Sequence, residues 1–234
     1  LKQLLVMRRL NESHPVDIVP TYMGAHALPE EWKGREEAFI DFQIEEMFPL
    51  VAQQKLAEAV DIFCEKNVFT IEQSRRYLTA AREQGFQLKI HADEIVPQGG
   101  AELAAKLGCL SADHLLQASD EGIHALAAAG TVATLLPLTA FSLREEYARA
   151  RKMIDAGCIV ALATDLNPGS AFSSSVPMLF ALACIYMKMT PEEAVTAFTL
   201  NSAAALGRAD RIGSIDIGKQ GDLILLQFPS YKFL

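Results

Sequence analysis

No cysteine in this chain has a cysteine partner at motif distance. The four, Cys64, Cys109, Cys158 and Cys184, are scattered without a C-x-x-C pair, each in an apolar or helical context. That argues against a disulfide framework and for buried free thiols in a reducing cytoplasm. No apolar run reaches the roughly 20 residues of a membrane span. The longest, Val176 to Met187 and Thr131 to Phe141, fall well short. No leader of basic, then apolar, then small residues opens the chain, which starts at Leu1 inside a helix-like stretch. Positive charge is scarce too: 21 Lys and Arg stand against 29 Asp and Glu, a net charge of −8 with no basic cluster. Nucleic acid and anionic membrane surfaces are therefore poor partners, because phosphate binding needs a positive footprint. The glycine-rich fingerprint of a dinucleotide-binding turn is missing as well. Low-complexity segments, internal repeats and linker-like composition breaks before about Arg208 are all absent.

Half of the 234 residues are apolar and 21% are charged, ample for one large core. Short β-like runs alternate with helical stretches. The runs are 17–25, 60–64, 88–92, 112–116, 131–136 and 159–164, most of them dense in Val, Ile, Leu and Ala. Continuous apolar runs of this kind suit strands buried on both faces. Helical patterns cover 1–10, 35–54, 70–84, 100–107, 120–129, 142–156 and 191–206. Thr70 opens one with a capping box to Gln73, and Thr190 with Pro191 opens another. Such alternation implies a parallel sheet wrapped by helices, either doubly wound or closed as a (β/α)8 barrel. The polar residues favour the barrel. His91, Asp93 and Glu94 end one run, Asp113 and His114 lie in the next, and Asp165 and Asn167 end the last. Barrel enzymes place their chemistry at those strand ends. Six βα units are visible, so two front strands of an incomplete TIM-type barrel are expected to be missing. Residues 1–207 read as that partial barrel. Residues 208–234, with Gly213, Gly218, Gly221 and Asp222 ahead of Leu223 to Leu226, read as a return to a small β-sandwich-like domain through one strand.

Two histidines and a carboxylate at strand ends would converge on one mouth, as metal-assisted hydrolysis requires. His91 and Asp165 are the metal-ligand candidates, with His114 beside them. Each has an ordinary structural reading, as a core histidine or a turn cap. His26, just past a strand, suits substrate binding or a surface loop. His14 and His124 read as structural or solvent-facing, and Lys89 as helix-facing with its amine snorkelling outward. The pairs Glu36-Glu37 and Glu45-Glu46 read as solvated helix faces.

At five stretches the chain closely resembles the imidazolonepropionases, a family of the amidohydrolase superfamily. They are Pro20-Thr-Tyr-Met-Gly-Ala-His-Ala-Leu-Pro-Glu30, Val60-Asp-Ile-Phe-Cys-Glu65, Lys89-Ile-His-Ala-Asp-Glu94, Ser111-Ala-Asp-His-Leu115 and Ala163-Thr-Asp-Leu-Asn-Pro-Gly-Ser170. The resemblance implies one zinc or iron ion on His91 and Asp165, and His114 beside the attacking water. His26, Glu94, Asn167, Gly169 and Ser170 would bind 4-imidazolone-5-propanoate, with Glu94, His114 and Asp165 catalytic. The expected reaction is metal-dependent hydrolysis of that cyclic amide, a step of histidine degradation, in a cytoplasmic protein that could be a homodimer. The family's His-x-His pair on the first barrel strand, its early substrate-binding Arg and Tyr, and the N-terminal half of its small β-domain have no counterpart here. A front-truncated chain is therefore expected, weak or inactive alone. Three alternatives stay open: another cyclic amidase or a cytosine- or guanine-deaminase-like enzyme, a non-catalytic fragment, and a structural α/β domain whose rim carboxylates are caps.

Overall fold

The computed structural model describes residues 1–231. Six strands form one sheet: β1 (Thr21–Ala25), β2 (Ala59–Cys64), β3 (Gln87–Ala92), β4 (Ser111–His114), β5 (Val132–Leu135) and β6 (Val160–Leu162). Their spatial order equals their chain order and every neighbouring pair is parallel. Sequential parallel strands with helices between them are the rhythm of a (β/α)8 barrel. Among the described residues β6 does not pair with β1, so the molecule is an open arc of such a barrel.

Before β1 runs α1 (Lys2–Ser13). Between β1 and β2 lie α2 (Glu36–Phe42), a π-helical turn at Gln43–Met47, and α3 (Phe48–Gln53). Pro49 in the first turn of α3 cannot donate to the preceding helix, which accounts for the wider turn inside the expected 35–54 stretch. Then α4 (Ile71–Glu83) covers β2 and β3, with the capping box of Thr70 and Gln73 formed as expected. The chain continues through α5 (Gly100–Lys106), α6 (Asp120–Ala129), α7 (Pro137–Leu143), α8 (Ala150–Asp155), α9 (Val176–Ile185), α10 (Pro191–Phe198) and α11 (Leu200–Ala205). The expected helix over 142–156 is split: Arg144, with φ +60°, ends α7, and α8 starts six residues later. The apolar run at 176–187 supplies α9, which the sequence reading had weighed only as a membrane span. No helix among the described residues is long and apolar enough to cross a membrane.

The core lies between sheet and helices. Ile62, Leu78, Ile90, Leu115, Ile123, Leu126 and Leu135 are fully buried there. Burying one such side chain is worth about 1.5–3 kcal/mol. Cys64, Cys109 and Cys158 are buried free thiols and Cys184 is half-buried. The strand expected over Leu223–Leu226 does not form: residues 221–226 have no regular structure, and Leu223, Ile224 and Leu225 are exposed. A single strand needs a partner, and the described residues pair none with this segment.

Candidate active site

Side chains alternate across a strand, so every second residue of each barrel strand points inward. The outward set here is apolar: Val60, Ile62, Leu88, Ile90 and Ala112 lie against the helices. The inward set is largely polar. Asp61 on β2, Lys89 and His91 on β3, Ser111 and Asp113 on β4, and Thr134 on β5 share that side. Register places His91 level with Phe63 and Asp113.

Above this layer opens a cavity of about 640 Å³, lined by His26, His91, Glu94, His114, Asp165, Asn167 and Ser170 among others. Gly169 is the one expected site residue not on its wall. Its N–H instead donates to Asn167 Oδ1 at 2.8 Å, as does the Ser170 N–H at 2.8 Å. A second cavity of about 480 Å³ joins below and shares His91 and Asp165. His26, which follows β1, stacks on Phe63 with centroids 5.4 Å apart, and meets His91 edge-on at 5.1 Å. Its strand needs Gly24: a Cβ there would collide with Gln43 Oε1 and with the Tyr22 ring. His114 lies 5.1 Å from His91, ring to ring. Asp93, His114, Leu115 and Asp165 all adopt left-handed backbone, with φ of +49°, +75°, +59° and +50°. That conformation costs of order 1–3 kcal/mol per residue. At His114 it breaks the strand alternation and turns the imidazole toward the mouth.

Charges in the site push one another in different directions. His91 Nδ1 sits 2.7 Å from Asp61 Oδ1, without the alignment of a good hydrogen bond. Burial opposes protonation of His91, but Asp61, Asp113 and Asp165 outweigh it and push its pKa up to about 9. His114 goes the other way. Burial, followed by repulsion from the imidazoles of His91 and His26, holds it well below the ordinary range, so it is neutral. His26 is lowered by burial and by His91, against the pull of Asp61 and Asp165. Glu94 Oε1 lies 3.3 Å from His114 Nδ1, and burial raises its carboxyl to about 7. Asp113 is raised by burial, with Lys89 and His91 opposing.

Two buried carboxylates hold the loop that carries Glu94. Glu65, just after β2, accepts the N–H groups of Lys66, Glu94, Ile95 and Val96. Asp93 accepts those of Gln98, Gly99, Gly100 and Ala101, the last three at the start of α5. Thr139 Oγ1, in the first turn of α7, donates to Asp165 Oδ2 at 2.6 Å.

Sequence reasoning assigned no role to Asp61, Glu65, Asp93 or Thr139. Asp61 was the most findable, because a carboxylate at an inward position of an apolar run is costly unless it is partnered. Lys89 corrects an expectation. Its side chain faces the barrel interior, where Nζ donates to Ser111 Oγ at 3.2 Å, and it lines the lower cavity. The parity of β3 aligns it with His91 and so turns it away from the helices. His14 and His124 are exposed, as expected.

Residues 43–232 match the model of the Amidohydrolase family, and the chain belongs to that family. Within it, the chain is similar to curated imidazolonepropionases. It is 66% identical over 234 residues to that of Parabacteroides distasonis, covering 100% of this chain and 56% of the relative. With the Phocaeicola vulgatus protein it shares 69% over 228 residues, 97% of this chain and 55% of the relative. The chain thus spans about half the length of the curated relatives it matches. Among solved structures, an adenosine deaminase from Xanthomonas campestris with bound zinc superposes with a TM-score of 0.69 at 21% identity, covering 94% of this chain and 54% of that one. A triazine hydrolase variant gives 0.71 at 16% identity, over 91% and 53%. These two show the shared fold.

Proposed function

We propose that this chain is the portion of an imidazolonepropionase that carries its proton-transfer groups and part of its metal site. The protein would hydrolyse 4-imidazolone-5-propanoate to N-formimidoyl-L-glutamate, a cytoplasmic step of histidine degradation. One observation carries the reading: seven residues from 26 to 170 line a single cavity in a chain 66% identical to such enzymes.

The donor set suits one divalent cation, zinc or iron. With Asp61 against Nδ1, His91 keeps Nε2 for a metal, the arrangement common among ligating histidines. With Oδ2 held by Thr139, Asp165 keeps Oδ1. Asp61, His91 and Asp113 also lie close enough to gather around an ion. However, two ligands of a tetrahedral zinc sit about 3.3 Å apart by its bond lengths, so Asp61 at 2.7 Å reads as a partner of His91. When bound, such a cation lowers the pKa of water toward neutrality and polarises a carbonyl.

The chain's own groups then divide the proton transfers. Asp165 takes a proton from the water whose oxygen bonds to the ring carbonyl carbon. Neutral His114 orients that water by hydrogen bonding. As the ring C–N bond breaks, Glu94 gives a proton to the departing nitrogen. With its carboxyl at about 7, it holds that proton near neutral pH. His26, Asn167, Gly169 and Ser170 hold the substrate. Turnover of the imidazolone by the intact enzyme and its Asp165→Asn and Glu94→Gln variants tests this. Each should lose at least about a hundredfold in kcat, the scale of general acid-base catalysis. Near-normal turnover by Asp165→Asn would remove the assigned role.

A further inference from the structure

We propose that Thr139 is a positioning residue for Asp165, fixing the rotation of its carboxylate so that the oxygen it leaves free faces a divalent cation. The inference rests on the reading of Asp165 as a metal ligand.

The hydroxyl is committed to this contact. Thr139 is 2% exposed. A helical Ser or Thr commonly turns its hydroxyl back onto the carbonyl four residues earlier. Ser142, Thr196 and Thr199 in this chain do so, onto Leu138, Glu192 and Val195. Thr139, in the first turn of α7, has β5 and not helix four residues back, and its hydroxyl reaches Asp165, 26 residues away on the neighbouring unit, at 2.6 Å. That is the short length of a charge-assisted O–H···O⁻ bond.

Topology makes the reach possible. Pro137 starts α7 directly after β5, which puts Thr139 in the helix's first turn, over the strand ends. Asp165 follows β6, the strand paired with β5. Its left-handed backbone holds the carboxylate at the mouth in a conformation that neighbours must stabilise. A carboxylate's last torsion is soft, so packing alone would leave its plane free to turn. The Thr139 hydroxyl holds one oxygen and so sets the direction in which the other is presented.

The test is a zinc titration of the folded chain against a competing chromophoric chelator. Thr139→Val keeps the branched shape and removes the donor, so zinc affinity should fall by about tenfold or more, the usual effect of losing a ligand's supporting partner. Thr139→Ser should stay within about threefold of the parent, and this rescue separates the hydroxyl from mere packing. In an Asp165→Asn background, Thr139→Val should cause no further loss, since coupled residues do not add. If Thr139→Val proves unfolded by circular dichroism, Thr139→Ala removes the same hydroxyl and must show the same fall. Parent-like zinc binding by the donor-free variant, with Asp165→Asn weakened, overturns the positioning role and leaves the ligand reading standing. Unchanged binding by Asp165→Asn overturns the ligand reading, and the positioning role falls with it.

Discussion

Two loops frame the same mouth and are held by different means. The loop after β3 carries Glu94 and hangs from two buried carboxylates. Glu65 and Asp93, each 1% exposed, accept four backbone N–H groups apiece. The loop after β6 carries Asp165 and is tied by a neutral, half-buried amide on the cavity wall. Asn167 Oδ1 accepts from Gly169 and Ser170, and its Nδ2 donates to the Asp165 carbonyl at 2.7 Å. Buried carboxylates surrounded by fixed donors are expensive to disturb, whereas a half-buried neutral amide beside an open cavity costs less to replace. The contrast puts the stiffer loop under Glu94, the proposed proton donor, and the looser one under Asp165 and the proposed substrate contacts Asn167 and Ser170.

The largest break in this contrast should come from Asp93→Ala. It strips acceptors from four N–H groups around the start of α5 and should cost about 3–5 kcal/mol in urea denaturation. A loss under about 1 kcal/mol would show that water satisfies those donors and that the loop is not held as described. Glu65→Gln is milder, because its amide oxygen still accepts. About 2 kcal/mol is expected, together with faster hydrogen exchange at Glu94, Ile95 and Val96. Asn167→Ala should cost about 1 kcal/mol or less. Exchange should quicken at Gly169 and Ser170 and stay unchanged at residues 94–101. Equal costs for Glu65→Gln and Asn167→Ala would erase the distinction between the loops.

The strands and the rim histidine and aspartate were legible in the sequence because each is a local event. An apolar run announces a strand, and a titratable residue at its end stands out against it. Asp61 lies inside such a run, and only the register of β2 against β3 brings it beside His91. Glu65 meets the Glu94 loop 29 residues on, and Thr139 meets Asp165 across 26. Those contacts follow from strand order and backbone conformation, and local pattern does not encode them. Lys89 was misread for want of parity: the alternation of β3 puts it on the side of His91, which strand density alone did not reveal. The apolar run at 223–226 has the composition of a strand, yet pairing is a property of two segments, and composition describes one.

The smallest and sharpest test concerns Glu94, on the rigid loop. Its carboxyl is raised from the ordinary value to about 7, chiefly by burial. The folded chain therefore holds the proton more tightly than the unfolded chain does. The stabilisation from this group is fully present below the unfolded pKa and is lost as pH rises through about 7. His91, raised to about 9, has the same sign at higher pH, and His114, lowered, has the opposite sign. The measurement must isolate Glu94 as a difference between the parent and Glu94→Gln, both free of metal. Between pH 5 and 8 the parent should lose stability relative to the variant, by under about 1 kcal/mol once solvent screening at the mouth is allowed for. A rigid loop leaves the carboxylate little room to swing into water as it ionises, which is why the difference should persist. If Glu65→Gln abolishes the pH-dependent difference, the Glu65 clamp helps raise the Glu94 pKa, by its nearby negative charge together with the rigidity it imposes. If the difference survives that substitution unchanged, the pocket wall alone sets it, and the carboxylate clamp serves stability only.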